Sequence, residues 1–485
     1  MLFFRVVFCM STICMSSVGF ATENSPKIVV VGAGIAGLTT AYRLQNGKMN
    51  VHLYEARNRV GGRIFTAKIH GRIAELGGQN IGDGGEAIHL MRLIDELGLQ
   101  LDSSRIFLKH DYYNGTNLTS VSELIRRKEF DVQSLREQIN RLSSISYNMR
   151  EVLEKMFNIE DPLYKILAVR LAAFEGGSVE QLSPLYKETL FHMLLGGICS
   201  VHQGNQNAET HVDLITVRGG NALLPEKIAA ALGEKVHLNM ALRKVAKNQK
   251  GGFQLTFHND EQVESDILVL AIPCSMYAQV SFEDDVIPSQ KLNQIRDVRY
   301  GENAKIMIPF NVPLVKTTGI IGNEIVAFFD RGQQLLTVYY TGKTSRFSSE
   351  TIADSYVQAR PMIEAGFGND CPAYEPPIYA TDFGNLSYDR PVGYSWLNDQ
   401  YAKGTYSYIA SGQENALIPT LKEYDETFKA LFAPIQKRLY FAGEHASVLS
   451  EVPGTMEAAC ESGERIARVI LQDQQLNHKR KDLEL

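Results

Sequence analysis

Three glycines near the N-terminus have the spacing that brings a backbone close to a phosphate group. They are Gly32, Gly34 and Gly37, and they directly follow the β-branched run Lys27–Val31. In such a turn the first glycine permits the tight bend, the second admits the phosphates and the third lets a helix pack on the strand. The amides and the positive dipole end of that helix attract phosphate oxygens. The chemistry indicated is the binding of a dinucleotide.

An acid and three arginines downstream specify the nucleotide further. Glu55 follows a second apolar run, Val51–Tyr54, at the distance where an acid accepts the ribose hydroxyls of an adenine nucleotide. Arg57, Arg59 and Arg63 then surround a second pair of glycines, and their planar guanidinium groups suit pyrophosphate oxygens. This arrangement predicts FAD rather than NAD. A solvated basic loop is the alternative interpretation.

The elements that must position these residues are strands and helices in alternation. The first strand, 27–31, precedes a helical stretch that runs through Leu44, and nucleotide-domain signals recur in two later blocks. Ser122 to Leu195 has apolar residues at helical spacing, whereas Ile306 to Phe310 and Leu335 to Tyr340 are rich in β-formers. We therefore predict an α/β fold with a Rossmann-type FAD/NAD(P)-binding domain, discontinuous in sequence, and an α+β substrate domain that combines a mixed sheet with a helical part.

The length of 485 residues is also long for one hydrophobic core. The predicted division assigns 26–100, 213–288 and 421–473 to the FAD-binding domain, 101–212 and 289–420 to the substrate domain, and 474–485 to a polar tail.

Several segments in the same order resemble one known family. The sequence E-A-R-N-R-V-G-G-R after G-A-G-I-A-G is similar to that of the flavin-containing amine oxidases, which include monoamine oxidases, polyamine oxidases, L-amino-acid oxidases and histone demethylases. The resemblance extends over nearly all of the chain after about Ser25. Further matching segments are Glu75–Gln79, Val217–Asn221, Tyr440–His445 and Gly454–Arg465.

This resemblance implies a set of residues that hold FAD. Thr405 stands where some monoamine oxidases attach FAD through a cysteine, so we expect the cofactor to be bound non-covalently. The implied cofactor-binding residues are Gly32, Gly34, Ile35, Ala36, Gly37, Glu55, Ala56, Arg57, Gly62, Arg63, Gly78, Gln79, Leu242, Gly443, Glu444, Thr455 and Met456.

The resemblance also implies the catalytic residues, because the flavin carries the redox chemistry and the protein orients the substrate. Lys305 matches a lysine that holds a water beside the flavin, although a lysine entering a strand is by default a solvated side chain. Tyr406 matches a ring that aligns the substrate amine. Trp396, the only tryptophan, and Thr455 complete the predicted substrate cavity, although a single large aromatic is more often part of a core.

Two departures from the family pattern bear on the substrate. Thr455 replaces the second tyrosine that flanks the amine in monoamine oxidases, as it does in polyamine oxidases, and the segment Ser395 to Gly412 most closely resembles polyamine oxidases and histone demethylases. Venom-type L-amino-acid oxidases have an arginine where this chain has Asn80. That substitution weakens the amino-acid interpretation, although Arg170 or another arginine of the helical part could pair with a carboxylate instead.

The predicted function is FAD-dependent oxidative deamination of an amine, with a polyamine or another primary or secondary amine as substrate. The products are an imine, then an aldehyde, while O2 is reduced to H2O2. The alternatives are an L-amino-acid oxidase, a non-amine flavoprotein similar to desaturases or porphyrinogen oxidases, and a protein that uses this fold for binding alone.

The net charge and the N-terminal segment indicate which binding partners and which compartment to expect. The net charge of −6 argues against a nucleic-acid surface, and we predict no metal site. Residues 1–21 combine Arg5, an apolar stretch from Val6 to Cys14 and small residues before Ala21, which is typical of a cleaved export signal. An uncleaved anchor is the alternative. No membrane span is expected after cleavage.

Overall fold

The computed structural model describes residues 25–82, 87–107, 110–202, 211–310, 319–330, 332–381, 386–449 and 453–483. The predicted export signal, 1–21, lies outside the described residues. The helices, in chain order, are α1 (Ile35–Asn46), α2 (Ile88–Glu96), α3 (Val121–Arg126), α4 (Val132–Ser144), α5 (Met149–Met156), α6 (Pro162–Glu175), α7 (Lys187–His202), α8 (Leu223–Leu232), α9 (Ser289–Asp297), α10 (Ile352–Phe367), α11 (Glu414–Leu417) and α12 (Met456–Leu483).

The strands are shorter and more numerous. The first thirteen are β1 (Lys27–Val31), β2 (Asn50–Tyr54), β3 (Thr66–Ile69), β4 (Arg72–Glu75), β5 (Leu101–Phe107), β6 (His110–Tyr113), β7 (Leu118–Ser120), β8 (His211–Val217), β9 (Val236–His237), β10 (Leu242–Lys247), β11 (Phe253–Phe257), β12 (Gln262–Ser265) and β13 (Ile267–Leu270). The others are β14 (Ser281–Phe282), β15 (Arg299–Tyr300), β16 (Ala304–Pro309), β17 (Gly319–Gly322), β18 (Ile325–Asp330), β19 (Leu335–Tyr340), β20 (Ile378–Tyr379), β21 (Ser387–Tyr388), β22 (Val392–Ser395), β23 (Ser407–Tyr408), β24 (Thr420–Glu423), β25 (Glu426–Lys429) and β26 (Leu439–Phe441).

A five-stranded parallel sheet forms the centre of the nucleotide-binding part, in the order β26-β13-β1-β2-β9. Its central strand is buried on both faces because successive residues alternate between two cores. Ile28 and Val30 pack in the core that includes residues of α1, α8 and α12, whereas Val29 and Val31 pack in the core that includes β10 and β11. The strands come from three separated parts of the chain, as the predicted fold requires.

An eight-stranded mixed sheet forms the second part, in the order β20-β22-β16-β19-β18-β17-β6-β7. One face of this sheet, with Ile306, Ala327 and Val338, packs in a core that also includes residues of α10. Because side chains alternate along a strand, the residues between these point to the opposite face. Helices α3 to α7 form where the sequence, from Ser122 to Leu195, has apolar residues at helical spacing. Helix α6 packs against β17 and β18.

Candidate active site

The turn after β1 approaches its surroundings too closely for any side chain at its first glycine. Gly32 has φ +107°, and a Cβ there would lie 2.6 Å from the Ala271 carbonyl oxygen. At Gly34, in contrast, a Cβ would meet no protein atom within 4 Å. A side chain at Gly34 would therefore project into open space, where a phosphate can otherwise approach the backbone. Helix α1 follows with neither a side-chain cap nor an acid in its first turn, so its amides face this space.

Glu55 links the two glycine turns. Its carboxylate accepts hydrogen bonds from the Ala33 amide at 2.6 Å and the Arg57 amide at 3.0 Å. Burial raises the pKa of Glu55, while these amides oppose that shift. The acid is thus held by backbone donors at the end of β2.

A cleft runs between these turns and the sheet that contains β10. Its lining also includes Met240, His258 and Tyr401, which the sequence did not single out. The predicted cofactor residues Ile35, Ala36 and Gly37 form the first turn of α1 instead. The predicted residues that line the cleft are Gly32, Gly34, Glu55, Ala56, Arg57, Gly62, Arg63 and Leu242.

The arginines of the second glycine turn have different partners. Arg57 forms a buried ion pair of 2.5 Å with Asp399, which also accepts the Tyr394 hydroxyl. Although burial opposes ionisation of Asp399, Arg57 holds the pKa of that carboxyl below its usual value. Arg59 instead donates to loop carbonyls, including that of Gly62 at 3.0 Å.

Arg63 connects the cleft with a more distant group of residues. It donates to the Thr405 carbonyl and lies 3.0 Å from the carboxylate of Glu444. Burial disfavours a charged Glu444, yet Arg63 and His445 lower the pKa of Glu444 below its usual value. The Arg63 guanidinium, held by Glu444, therefore lines the cleft, where its planar fork suits pyrophosphate oxygens.

Lys305 lies on the face of the eight-stranded sheet opposite α10. Its ammonium group is buried and donates to the carbonyls of Glu75 (3.1 Å) and Gly77 (2.9 Å) and to Oε1 of Gln79 (3.1 Å). The carboxyl of Glu75 is buried too, and burial raises its pKa to about 7. Strand register places Tyr339 beside Lys305 on the neighbouring strand. The lysine is therefore fixed by acceptors and is not a solvated side chain.

Tyr406 joins this sheet to the end of helix α6. Its hydroxyl lies 2.9 Å from the carbonyl oxygen of Ala173 and 3.0 Å from that of Phe174, and Asn303 donates to it at 3.0 Å. Asn303 also donates to the hydroxyl of Tyr339 at 2.9 Å. Asn303 thus joins Tyr406 to Tyr339, and the Lys305 ammonium lies 5.9 Å from the centre of the Tyr339 ring. Asn303 precedes Lys305 by two residues in the same motif, a signal that could have identified it.

The whole arrangement can be compared with known proteins. The model of the flavin containing amine oxidoreductases matches residues 35–471, which is most of the chain. The chain belongs to this family. Its members are flavin-dependent oxidoreductases that act on amines, so the sequence-based identification of the family, the fold class and the enzyme class is confirmed.

Individual relatives of this amine oxidoreductase are distant but cover most of it. An L-amino-acid oxidase of Demansia vestigiata is 24% identical, over 92% of this chain and 87% of the relative. Amine oxidase [flavin-containing] B of Homo sapiens is 25% identical, over 93% of this chain and 86% of the relative. A solved structure of putrescine oxidase bound to putrescine superposes with a TM-score of 0.69 at 18% identity, covering 92% of this chain and 99% of that one. This last likeness shows the shared fold.

The described residues fit the flavin cofactor that the family implies. Within the described part of the chain, three buried polar atoms near Arg63 and Tyr406 have no hydrogen-bond partner: Thr405 Oγ1, Asn303 Oδ1 and His445 Nε2. Burying such atoms without partners is costly, so a bound molecule that contacts them would relieve the cost. Burial also lowers the pKa of His445 to about 4, which keeps this ring neutral.

The remaining predicted cofactor-binding residues lie near the start of α12 and near Glu444. Gly78 lies against the Met456 side chain at the start of α12, where Thr455 Oγ1 accepts the Ala458 amide at 3.2 Å. Gly443 precedes Glu444 and donates its amide to Ser462 at 2.9 Å. These residues surround the Lys305 and Arg63 groups, and their roles toward cofactor stay predictions.

Trp396 lies in a core cluster beside β4. It packs edge-on against Phe65 and Tyr394, and its indole N–H donates to the Leu76 carbonyl at 3.0 Å. Leu76 directly follows Glu75, so Trp396 supports the segment that holds Lys305. Its predicted contact with substrate stays a prediction. Among the helices described here, none is long and apolar enough to cross a membrane.

Proposed function

We propose that this chain catalyses the FAD-dependent oxidation of a primary or secondary amine. The carbon next to nitrogen loses two electrons and the amine loses two protons in total, giving an imine. O2 takes up both electrons and both protons as H2O2, and water converts the imine into a carbonyl compound and an amine or ammonia. The observation that carries this proposal is the arrangement around Tyr339: the buried Lys305 ammonium lies 5.9 Å from the centre of its ring, and Asn303 donates both to its hydroxyl and to that of Tyr406.

When bound, FAD supplies the two-electron oxidation. The turn at Gly32 and Gly34, the carboxylate of Glu55 and the guanidinium of Arg63 would hold its nucleotide half in the cleft. Thr405 offers no thiol for attachment, which supports non-covalent binding. The protein is then expected to release its flavin on denaturation, which separation of the denatured chain from the yellow supernatant would show.

The polar group on the substrate side positions the amine. Tyr406 is fixed to the end of α6 and to Asn303, so its ring has one orientation from which to align a substrate. Burial of the substrate amine in this site favours its neutral form. The lone pair of the neutral amine then assists oxidation. The ammonium of Lys305, held by three acceptors, provides a fixed donor in the same group.

On the resemblance of Ser395 to Gly412, the favoured substrates are polyamines, and the second candidate is an amino acid. The absorbance of the purified protein near 450 nm, followed by anaerobic addition of putrescine, spermidine, spermine, tyramine or leucine, tests the proposal. Bleaching by at least one amine, with peroxide formed on admission of air, is the expected result. A colourless protein that does not take up FAD would support a binding protein instead.

Lys305→Met separates a catalytic role from a structural one. We expect the variant to keep FAD and to slow flavin reduction or reoxidation by about 100-fold or more, a size typical of a lost proton-handling group. Lys165→Met removes an exposed lysine that pairs with Glu160 and serves as the matched control. Unchanged turnover in Lys305→Met would remove Lys305 from the mechanism.

We also propose that residues 1–21 direct export and are cleaved. The support is the single Arg5, the short apolar stretch and the small residues before Ala21. N-terminal sequencing of the protein recovered from its native host tests this. A mature chain that still begins at Met1 would contradict it.

A further inference from the structure

Side chains from three distant parts of the chain hold the segment that supplies the acceptors of Lys305. In this segment, Glu75–Gln79, each of the five backbone carbonyls accepts a hydrogen bond from a side chain. Lys305 donates to the first and third carbonyls, Trp396 to the second at 3.0 Å, and Asn221 to the fourth and fifth at 3.0 and 2.8 Å. Backbone carbonyls most often pair with backbone amides. The path of this segment is therefore set largely by side chains.

The amides of the same segment pair with the chain just after the second glycine turn. Leu76 donates to the carbonyl of Phe65 at 2.9 Å, and Gly78 donates to that of Arg63 at 3.1 Å. Between them, Gly77 approaches so closely that a Cβ there would lie 1.9 Å from the Arg63 carbonyl oxygen. The segment cannot move toward Arg63 without a clash, and the donating side chains restrict its movement away.

Asn221 is oriented so that both of its amide hydrogens meet this segment. The residue is 2% exposed, and its Oδ1 accepts the Val217 amide at 2.8 Å. With the oxygen fixed by that donor, the NH2 group faces the carbonyls of Gly78 and Gln79. The backbone amide of Asn221 also donates to the carboxylate of Glu75 at 2.7 Å. One residue therefore bonds both ends of the segment.

The turn that carries Asn221 is attached to the strands before the segment. The hydroxyl of Thr66, on β3, donates to the other oxygen of the Glu75 carboxylate at 2.8 Å and accepts the Ala222 amide at 3.0 Å. A Cβ at Gly220 would lie 2.5 Å from the Thr66 side chain, so this turn lies directly on β3. The place of Asn221 is thus determined by β3 and β4. Such rigid placement is what a residue that orients another group needs.

We propose that Asn221 positions Lys305. The lysine takes two of its acceptors from the part that Asn221 holds, the Gly77 carbonyl and Oε1 of Gln79. Asn221 bonds the next carbonyl along the chain and the carbonyl of Gln79 itself, so it acts on the ammonium through the backbone. This inference rests on the proposed function, in which Lys305 is a fixed donor. A displacement of about 1 Å can slow a reaction about 100-fold, so loss of these bonds has a measurable effect.

A double-mutant cycle distinguishes positioning from general support of the fold. Asn221→Asp keeps the acceptor for Val217 and removes the amide NH2 group. In the holoenzyme, we expect it to slow by at least 10-fold the flavin step that Lys305→Met slows, either reduction by an amine or reoxidation by O2. Added to Lys305→Met, it should slow that step by less than about 2-fold more, because its effect passes through the lysine. Effects that multiply, or an unchanged rate in Asn221→Asp, overturn the proposal.

Asn248→Asp is the matched control. Asn248 also accepts backbone amides, those of Lys250 and Gly252, in the hairpin between β10 and β11, and its substitution should leave both flavin steps within about 2-fold of the wild type. If the new carboxylate prevents folding of Asn221→Asp, Asn221→Ala removes the same two donors without adding a charge. The same cycle with Lys305→Met and the same criterion then apply, with Asn248→Ala as control.

Hydrogen exchange gives a readout that does not depend on turnover. The amides of Leu76 and Gly78 are hydrogen-bonded, so we expect their exchange to be at least 10-fold faster in Asn221→Asp and unchanged in Asn248→Asp. Unchanged exchange of this segment in Asn221→Asp overturns the proposal. If no amine reduces the flavin, the proposed function fails. If amines are oxidised and Lys305→Met is slow while Asn221→Asp matches the wild type, only the role of Asn221 fails.

Discussion

The nucleotide-binding part of this molecule and helix α6 of the substrate part differ in whether their buried arginines have carboxylate partners. Around the cleft, Arg57 is matched by Asp399 and Arg63 by Glu444, and both carboxylates stay ionised despite burial. Along α6, Arg170 has no carboxylate partner in the described part of the chain. The first region pairs its buried arginines within the fold, whereas α6 carries an arginine without a carboxylate partner among the described residues.

The difference indicates where each region obtains its stability. A buried ion pair whose partners are both present contributes to holding distant segments together, because loss of either partner strands the other. A partly buried cation without a partner contributes nothing of this kind and lowers the free energy of unfolding. Four substitutions, taken from the largest expected effect to the smallest, test this contrast.

Arg57→Met should have the largest effect on folding. It leaves the Asp399 carboxylate buried without its cation, so we expect the free energy of unfolding to fall by about 3–5 kcal/mol. Denaturant titration followed by fluorescence measures the change. Arg218→Met breaks an exposed pair with Asp102 and should cost less than about 1 kcal/mol. Equal losses for the two variants would contradict the contrast.

Glu175→Gln should change how stability depends on pH. The folded-state pKa of about 7 exceeds the ordinary value of 4.5, so between these values the folded protein keeps a proton that the unfolded chain loses. The free energy of unfolding therefore decreases as pH rises through this window. By pH 8 the variant should be more stable than the wild type by up to about 3 kcal/mol, with little advantage near pH 4.5. Thermal midpoints measured from pH 5 to 8 check this.

The exposed Glu180 provides the control for this pH profile. Glu180→Gln should show the same pH dependence of the thermal midpoint as the wild type. If the profile of Glu175→Gln also parallels that of the wild type, the buried carboxyl is ionised throughout and the prediction is wrong.

Tyr406→Phe should have a moderate effect. The variant loses the hydroxyl that meets the final carbonyls of α6 and the Asn303 amide, for an expected cost of about 1 kcal/mol. Hydrogen exchange should show faster opening at the end of α6. Tyr147→Phe, which removes an exposed hydroxyl, should leave both measurements unchanged, and a variant of Tyr406 that behaves the same way would refute this contact.

Arg170→Met should have the smallest effect on stability, and in the favourable direction. Because the guanidinium has no described partner to strand, we expect no loss and a gain of up to about 1 kcal/mol. The thermal midpoint without substrate measures it. A loss comparable to that of Arg57→Met would show that Arg170 supports the fold.

The sequence alone was most informative where function depends on adjacent residues. The turn Gly32–Gly37 and the acid Glu55 could be identified because strand, turn and helix follow one another within thirty residues. Gly32, Gly34 and Glu55 line one cleft, and their contact with a dinucleotide stays a prediction. The family, and with it the flavin-dependent enzyme class, followed from several such segments in order.

Contacts between distant segments were beyond the sequence. Nothing near Arg57 indicates that Asp399, 342 residues later, pairs with it. Trp396 shows the same limit: the family resemblance implies a place in the substrate cavity, its type is more often part of a core, and only the structure shows it packed against Phe65 and Tyr394. Whether Arg170 is paired also depends on which helices and strands meet, and only the folded arrangement shows this.

The order of strands in the parallel sheet has a consequence for how the protein matures. Its central strand, β1, pairs with β13, and β13 pairs with β26, the last strand among the described residues. Such distant pairing slows folding, because long loops must close before the contacts form. The nucleotide-binding sheet is therefore completed only after Leu439–Phe441 have left the ribosome. The cofactor can then be loaded only after this strand is synthesised, and a chain truncated before Leu439 should be recovered without flavin.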